Sequence, residues 1–401
     1  MKSVTGDENK LSEKKKEIIR CVSLYHKESL LINKIKRYFE MFIEKYKDNK
    51  IGDFVKLMVK KVSSTKQKYE EIDLHEFLKL LIREFEELSL VSSRNFFNSL
   101  SRDLFISIVN SNKIFSYNLD QSKFYITEVN FTDMPVDRFP NYSRSLIING
   151  NLLVNGGYDE ENKVTLPYFF FFDRINKTLS RLNDMLYGHS AHSIIFIPPH
   201  FVIVVSGSGI VKCEKFDMDE NKWTELPDTL QPRQNTTLFY YNKQYIYAFG
   251  GAYWDDKKKT FIYLDTIERL DTGFGGLEVG KEWKLLNCTR RTDDLNLKKS
   301  VYSVLSYDVN KVLLVGGSIN YNTYTDEVIM FDFEKNEFSL KENIILPKKT
   351  CFPNKTFMYA TDKAYQLDTD GSVFEFDFKK DKFTIIKENN ILKTAKTNVD
   401  I

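Results

Sequence analysis

The sequence predicts a mainly β fold behind an α-helical N-terminal segment. Three observations lead to this prediction. Apolar residues recur at helical spacing in the first hundred residues, and the period changes to two from about Arg102 onward. A hairpin unit then occurs six times, and several of these units follow an apolar run that ends in glycine. Regular repetition of a small β unit is typical of folds built from stacked or radially arranged sheets.

Composition sets broad limits on the class of protein. The chain has 401 residues, of which 42% are hydrophobic and 14% aromatic, so it can bury a large strand-rich core. The formal net charge of +2 gives no overall attraction to nucleic acid, and no specific nucleic-acid partner is expected. The most apolar stretch, residues 194–211, is interrupted by Pro198, Pro199 and Gly207. It predicts two strands and a turn, and hence no membrane span.

The N-terminal residues and the cysteines predict a cytoplasmic location. Residues 1–16 are polar and charged, unlike a signal peptide. The cysteines lie far apart and form no CxxC, which argues against both a disulfide framework and a zinc site. The four positions are Cys21, Cys213, Cys288 and Cys351.

Residues 1–100 are predicted to form a helical segment, either a helical hairpin or a short coiled coil. One apolar stripe occupies residues 32–46, and a second occupies residues 74–88 behind a capping-box pattern at Asp73 and Glu76. Residues 1–68 hold 18 Lys and Arg against 9 Asp and Glu. This basic surface would either contact an acidic partner, a lipid or a nucleic acid, or form the solvated face of the helices. Homo-oligomerisation through residues 1–100 is a further expectation.

The repeat begins with an acidic or amide residue at the end of one strand and an aromatic residue or leucine in the next. In five units the two residues are six positions apart, and in the sixth a glycine-rich insert at 273–280 extends the spacing to twelve. The Asp or Asn side chain can accept hydrogen bonds from turn amides, while the second residue packs onto a neighbouring sheet. The pairs are Asn118 with Phe124, Asp173 with Leu179, Asp217 with Trp223, Asp271 with Trp283, Asp332 with Phe338, and Asp377 with Phe383.

Apolar runs ending in small residues precede four of these hairpins. Three of the runs end in a Gly-Gly pair, at 156–157, 250–251 and 316–317, and one ends in Ser206-Gly207. Glycine at a strand end permits close approach of another backbone. With the hairpins, this pattern resembles the kelch repeat over roughly residues 102–388. The resemblance implies a six-bladed kelch-type β-propeller over residues 101–401, whose first blade takes its missing inner strand from the segment after Asn390.

Kelch propellers usually bind partners on the face where the loops between blades and the loops between second and third strands emerge. Carried over to this chain, the resemblance implies two sets of partner-binding residues, one on each kind of loop. The first set is Arg144, His192, Arg233 and Lys348, with His189, Lys298, Lys299 and Lys349 beside them. The second is Tyr253, Trp254, Tyr321 and Tyr324, with Tyr158. Arg, Tyr and Trp are enriched at interface hot spots.

The basic residues at the blade junctions predict an acidic or phosphorylated peptide as the ligand. The alternative is that these cations only hydrogen-bond neighbouring loops. His189 and His192 form an HxxH without a third metal ligand nearby in sequence, which favours polar residues at a strand start over a metal site. No phosphate-binding glycine loop or nucleophile elbow is present, so neither a cofactor nor an enzymatic activity is expected.

The leading functional hypothesis is a non-enzymatic scaffold whose propeller binds another protein, acidic or cytoskeletal in character, while the helices self-associate or attach it to an assembly. A second hypothesis is substrate recognition for a ubiquitin ligase, a frequent role of kelch propellers. The lone Cys21 in residues 1–100 argues against a zinc-binding RING or B-box there. An enzyme built on a propeller is the third hypothesis.

Overall fold

The described part of the chain is a six-bladed β-propeller, in which small antiparallel sheets, the blades, surround a central axis. The mainly β fold and the six blades predicted from the sequence are therefore confirmed. The predicted helices of residues 1–100 lie outside the described residues. The computed structural model describes residues 103–148, 151–173, 176–198, 200–273, 276, 280–291, 295–308, 310–320, 323–352, 357–360, 362–389 and 392.

Blades 1 to 3 follow the predicted strand pattern. Blade 1 shows three described strands, β1 (Asp103–Ile108), β2 (Lys113–Asn118) and β3 (Lys123–Glu128). Blade 2 has the order β4-β5-β8-β9, and a short hairpin joins its second and third strands. Its strands are β4 (Arg144–Ile148), β5 (Asn151–Asn155), β6 (Tyr158–Asp159), β7 (Val164–Thr165), β8 (Phe169–Asp173) and β9 (Thr178–Arg181). Blade 3 contains β10 (Ser193–Ile197), β11 (Phe201–Gly207), β12 (Ile210–Asp217) and β13 (Lys222–Leu226).

Blades 4 and 5 also carry a short hairpin between their second and third strands. Blade 4 contains β14 (Thr237–Tyr241), β15 (Tyr245–Phe249), the hairpin β16 (Ala252–Asp255) and β17 (Thr260–Tyr263), β18 (Ile267–Asp271) and β19 (Trp283–Leu286). Blade 5 contains β21 (Ser303–Asp308), β22 (Lys311–Val315), the hairpin β23 (Ser318–Asn320) and β24 (Thr323–Tyr324), β25 (Val328–Asp332) and β26 (Glu337–Leu340), with β20 (Thr289–Arg290) parallel to its outer edge. Blade 6 contains β27 (Met358–Ala360), β28 (Lys363–Leu367), β29 (Val373–Asp377) and β30 (Lys382–Lys387).

The predicted Asp or Asn turn is present in all six blades. In blade 3, Asp217 Oδ1 accepts hydrogen bonds from the amides of Asp219 and Glu220 at 2.9 and 3.1 Å. A side-chain oxygen accepts from a turn amide in the same way in every other blade, at Asn118, Asp173, Asp271, Asp332 and Asp377. The repeated acidic or amide residue is therefore explained by the turn, because the turn amides have no strand partner.

We expect Asp332→Ala to lower the free energy of unfolding by about 2 kcal/mol, since the Asp332 carboxylate is buried and accepts two turn amides. Chemical denaturation of the full chain measures this change. Asp332→Asn is the matched control: it keeps the acceptor, as Asn118 does in blade 1, and should cost much less. Equal losses in the two variants would contradict this assignment.

Six hydrophobic clusters lie between neighbouring blades, one at each junction. Trp223 of blade 3 packs into the cluster shared with blade 2, and its indole donates to Asn183 O at 2.8 Å. Trp283 of blade 4 does the same towards blade 3, donating to Pro227 O at 3.0 Å. The prediction that the second residue of each pair packs onto a neighbouring sheet is confirmed.

The junction between blades 6 and 1 closes the ring. Leu104 and Tyr117 of blade 1 share a buried cluster with Leu367 and Val373 of blade 6. Leu392 is buried in the same cluster. The rest of the segment predicted to supply the inner strand of blade 1 lies outside the described residues.

The Gly-Gly pairs place successive blades in backbone contact. Gly250 and Gly251 both have positive φ, and Gly251 N donates to Lys299 O of the next junction at 3.1 Å. A Cβ at Gly250 would overlap that same carbonyl oxygen. Glycine is therefore required both by the left-handed conformation and by the close approach of a second backbone.

Candidate functional site

The loops between blades and the hairpins between second and third strands lie on one face of the propeller, which we call the axial face. The two kinds of loop are bridged by backbone pairs in blades 2, 4 and 5, as the antiparallel geometry predicts. The bridged pairs are Asn141 with Tyr158, Gln234 with Ala252, and Ser300 with Ser318.

Backbone hydrogen bonds link successive inter-blade loops around the axis. Tyr142, Ala191, Asn235 and Val301 occupy equivalent positions in blades 2 to 5, and all four have a left-handed φ between 47° and 59°. The amides of the last three residues each donate to the carbonyl of the preceding member of the series, at 3.0, 2.7 and 3.1 Å. This collar links the four loops, since each shares at least one backbone hydrogen bond with a neighbouring loop.

A cavity of about 410 Å³ lies at the mouth of the axis. The described residues that line it are uncharged: they carry hydroxyl, amide and aromatic side chains, with two alanines. The lining residues are Tyr142, Tyr158, Thr165, Ser190, Ala191, Ser208, Gln234, Asn235, Ala252, Phe261, Tyr263, Ser300 and Ser318. Such a lining suits a neutral polar group or a peptide backbone, and the volume is within the range of ligand pockets.

Trp254 is exposed beside this cavity. In the hairpin β16/β17, Ala252 pairs with Tyr263 and Trp254 with Phe261. Because alternate residues of a strand share a face, Trp254 lies on the same side of the hairpin as the three cavity-lining residues. Its ring contacts the ring of Phe261 edge-on, with 5.1 Å between the ring centroids, and 45% of the surface of Trp254 is accessible to solvent. The structure thus leaves the indole available for a partner.

The Arg233 side chain is fully buried. Its Nε donates to Glu268 Oε1 at 2.7 Å, and its two terminal nitrogens donate to Gly250 O and Thr266 Oγ1. Burial lowers the pKa of the guanidinium, while the charge of Glu268 acts in the opposite direction. Arg233 therefore joins the inter-blade loop to the third strand of its own blade, and a partner cannot reach it in this conformation.

Equivalent pairs occur at three other junctions. In blade 5 the buried Lys299 ammonium contacts Glu327; burial lowers the pKa of this lysine, and the carboxylate opposes that effect. In blade 6 Lys348 contacts Asp368 and Asp370 at 2.5 and 2.9 Å. Burial alone would lower the pKa of Lys348, but these carboxylates raise it.

In blade 3 a histidine takes the place of the cation. His189 Nε2 lies 2.9 Å from Glu214 Oε1, and its Nδ1 lies 2.8 Å from Ser206 O. His192 is also buried and contacts Asn155 Oδ1 through Nε2 at 3.1 Å. The sequence showed no carboxylate near the HxxH, whereas the structure brings Glu214 to it. Both imidazoles are thus held in polar contacts inside the propeller.

The charge that these cations could offer to a ligand is offset within the protein. Arg233, Lys299 and Lys348 each have a carboxylate partner in the same blade. The wall of the axial cavity is correspondingly uncharged. A general preference for acidic ligands therefore has no support from these three residues.

Arg144 differs from the other junction residues. It donates through Nε to His192 O at 3.0 Å and contacts the Asn235 side chain, which belongs to a blade two positions away. Burial lowers the pKa of its guanidinium to about 10. The residue as a whole is half-buried.

The remaining predicted residues are distributed along the hairpins. Tyr158 lines the cavity, and Tyr253 is half-buried on the side of its hairpin opposite Trp254. Tyr324 is half-buried in β24. Tyr321 lies outside the described residues. The binding role predicted for this set stays a prediction.

Sequence reasoning missed a set of exposed apolar residues on the axial loops. Leu186, Leu230 and Ile345 are 54%, 58% and 60% exposed, and each lies three residues before a junction cation or histidine. This fixed spacing was the available signal. The amides of Leu186 and Leu230 donate to Glu214 Oε2 and Glu268 Oε2 at 2.6 and 2.9 Å. The carboxylates that contact His189 and Arg233 thus also hold the loops that present these leucines.

Together, the fold and the axial face define a β-propeller with a rigid, partly apolar loop surface around a small neutral cavity. Comparison with solved structures agrees with this class. The structure of YjhT superposes with a TM-score of 0.53, covering 71% of this chain and 94% of that chain at 11% sequence identity. At this identity the similarity concerns the fold alone.

No protein-family model and no curated protein matches the sequence. Among the described residues, no helix has the length and apolar character needed to span a membrane.

Proposed function

We propose that this chain is a non-enzymatic protein-binding module, and that a partner protein covers its axial face. The observation that carries the proposal is that the axial loops and hairpins of several blades expose apolar side chains: Val164, Leu186, Leu230, Trp254 and Ile345. Exposed apolar groups with a polar surround are typical of protein interaction sites. Tryptophan in particular is enriched among the residues that contribute most to binding.

The rigidity of the axial loops supports this proposal. Leu186 and Leu230 are attached by their amides to buried carboxylates, and the collar of backbone hydrogen bonds links neighbouring loops. A surface that is already ordered loses little conformational entropy when it binds. The axial loops can therefore present their apolar side chains to a partner at low entropic cost.

The wider scaffold role rests on the sequence. Residues 1–100 carry the amphipathic stripes that would self-associate or attach the propeller to a larger assembly, cytoskeletal or otherwise. They lie outside the described residues. Sedimentation of the full chain tests this part: a dimer or higher oligomer is expected, and a monomer at all concentrations contradicts it.

The binding proposal is tested by affinity capture with the full chain and a triple variant, Leu186→Ser, Leu230→Ser and Trp254→Ser. We expect proteins retained by the wild type to be lost from the variant, because the three substitutions remove three of the five large exposed apolar side chains of the axial face. Quantitative mass spectrometry of the bound fraction provides the measurement. Cullin-type ligase subunits among proteins that the variant retains would favour the ligase-adaptor hypothesis.

A matched control changes three exposed apolar residues on outer strands, Ile126→Ser, Leu285→Ser and Ile386→Ser. It removes comparable apolar surface away from the axial face. Thermal unfolding verifies that both triple variants are folded. Equal retention of partners by the two variants would overturn the assignment of the axial face.

A further inference from the structure

Arg144 occupies a position where the repeat otherwise places a small hydroxyl side chain. In blades 3 and 4 the equivalent residues are Ser193 and Thr237, whose hydroxyls each donate one hydrogen bond to a backbone carbonyl of the following blade, at 2.5 and 2.7 Å. Arg144 makes the same bond through Nε to His192 O at 3.0 Å. One donor is therefore sufficient for the blade contact, and the rest of the guanidinium exceeds what the fold requires.

The guanidinium has no carboxylate partner among the described residues. Its terminal nitrogens donate to Ser143 O at 3.1 Å and to the Asn235 carboxamide oxygen. Three of its five N–H donors are thus used, all by neutral acceptors. Arg233, by contrast, is paired with Glu268 at 2.7 Å. An arginine charge surrounded by protein normally has such a partner, because an unpaired buried charge is costly.

Arg144 does not itself line the axial cavity, but it contacts a residue that does. Asn235, which accepts a hydrogen bond from Arg144, lines the cavity, and so does Tyr142, two residues before Arg144. Among the described residues, no charged side chain lines the cavity, and none there neutralises the arginine. A single positive charge next to a neutral, hydrogen-bonding cavity of about 410 Å³ is suited to one monovalent anion carried by a polar ligand.

We propose that Arg144 binds a carboxylate that the partner protein inserts into the axial cavity, from an aspartate or glutamate side chain or from a chain terminus. This inference rests on the proposed function, since the partner supplies the carboxylate. Two N–H groups of the guanidinium have no acceptor among the described residues, and a carboxylate offers two oxygens as acceptors. A phosphate would bring a second negative charge, for which the neighbouring cations Arg233 and Lys299 are unavailable because carboxylates already pair with them.

The test uses a phage-displayed library of random octapeptides selected on the immobilised full chain. We expect the enriched peptides to share an acidic residue or to depend on a free C-terminus. The best peptide and its Glu→Gln or Asp→Asn analogue are then titrated by calorimetry against wild type, Arg144→Gln and the control Lys284→Gln. Lys284→Gln removes one positive charge, as Arg144→Gln does. Lys284 lies on the outer strand β19 with an exposed side chain, away from the axial cavity.

Arg144→Gln and the neutral peptide analogue should each weaken binding by about tenfold or more, and combining them should add little, as expected for two partners of one ion pair. Lys284→Gln should bind like the wild type. Equal affinities for Arg144→Gln and Lys284→Gln would overturn the proposal. So would tighter binding of a phosphoserine analogue than of the acidic peptide.

Failure of this inference is distinguishable from failure of the proposed function. Peptides that are insensitive to Arg144→Gln but lost from the Leu186, Leu230 and Trp254 triple variant would keep the axial face and reject the carboxylate. An absence of enriched peptides would count against both. The thermal stability of Arg144→Ser provides an independent test. Its midpoint of thermal unfolding should equal or exceed that of the wild type, because Ser193 makes the equivalent contact between blades with a serine hydroxyl. A lower midpoint would give Arg144 a structural role and contradict the proposal.

Discussion

Replacing Arg233 with methionine is expected to lower the free energy of unfolding by about 3–5 kcal/mol. The substitution leaves the fully buried Glu268 carboxylate without its counterion, and it leaves the carbonyl of Gly250 without the Arg233 donor. An uncompensated buried charge is among the most destabilising features a protein can contain. Chemical denaturation of the full chain, followed by tryptophan fluorescence, measures the loss.

Two variants make this result specific. The double variant Arg233→Met with Glu268→Gln should recover a large part of the loss, because glutamine is neutral and can still accept the Leu230 amide. Arg144→Met removes an arginine that meets no carboxylate among the described residues, and it should cost far less. If the double variant is no more stable than Arg233→Met, the pairing with Glu268 is not the source of the effect.

Replacing Trp283 with alanine is expected to cost about 3–5 kcal/mol as well, but through packing. The indole is 2% exposed and fills the cluster between blades 3 and 4, and its N–H donates to Pro227 O. Trp283→Phe separates the contribution of packing from that of the hydrogen bond. Phenylalanine keeps an aromatic ring in the cluster but cannot donate to Pro227 O. The free energy of unfolding should therefore fall by about 1 kcal/mol for the lost hydrogen bond, and further because the ring is smaller.

Trp254→Ala is the matched control for this experiment. The same substitution on the axial face removes an indole that is 45% exposed, so its effect on stability should remain within about 0.5 kcal/mol. A loss at position 254 as large as the loss at position 283 would mean that Trp254 supports the fold and is not available as a contact residue.

The fold was predictable because its determinants are local. Asp217 and Trp223 are only six residues apart, and the turn between them is set by hydrogen bonds within four residues. The same local pattern recurs in every blade. Even the unequal unit, Asp271 with Trp283, keeps its acceptor and its packing residue because the insert lies in the turn between the two strands.

The candidate site was less predictable because its determinants are distant in sequence. Arg144 and Arg233 look alike as basic residues near the start of a blade. Within the described part of the chain, however, only Arg233 meets a carboxylate, 35 residues further along the sequence. Glu214 and Glu268 both precede the hairpin aspartate by three residues, and this regularity could have identified them. The position of Arg144 among serine and threonine equivalents emerges only when the first strands are aligned through their hydrogen bonds to the next blade.

The closed ring has a consequence for the order of folding. Five of the six inter-blade clusters join blades that are consecutive in the chain, so they can form as soon as two adjacent blades exist. The cluster of Leu104, Tyr117, Leu367 and Leu392 joins opposite ends of the propeller sequence. Its formation must close a loop of nearly the whole domain, which carries the largest entropic cost of any junction. We therefore expect this seam to form last during folding, and to be the first junction at which backbone amides exchange with solvent.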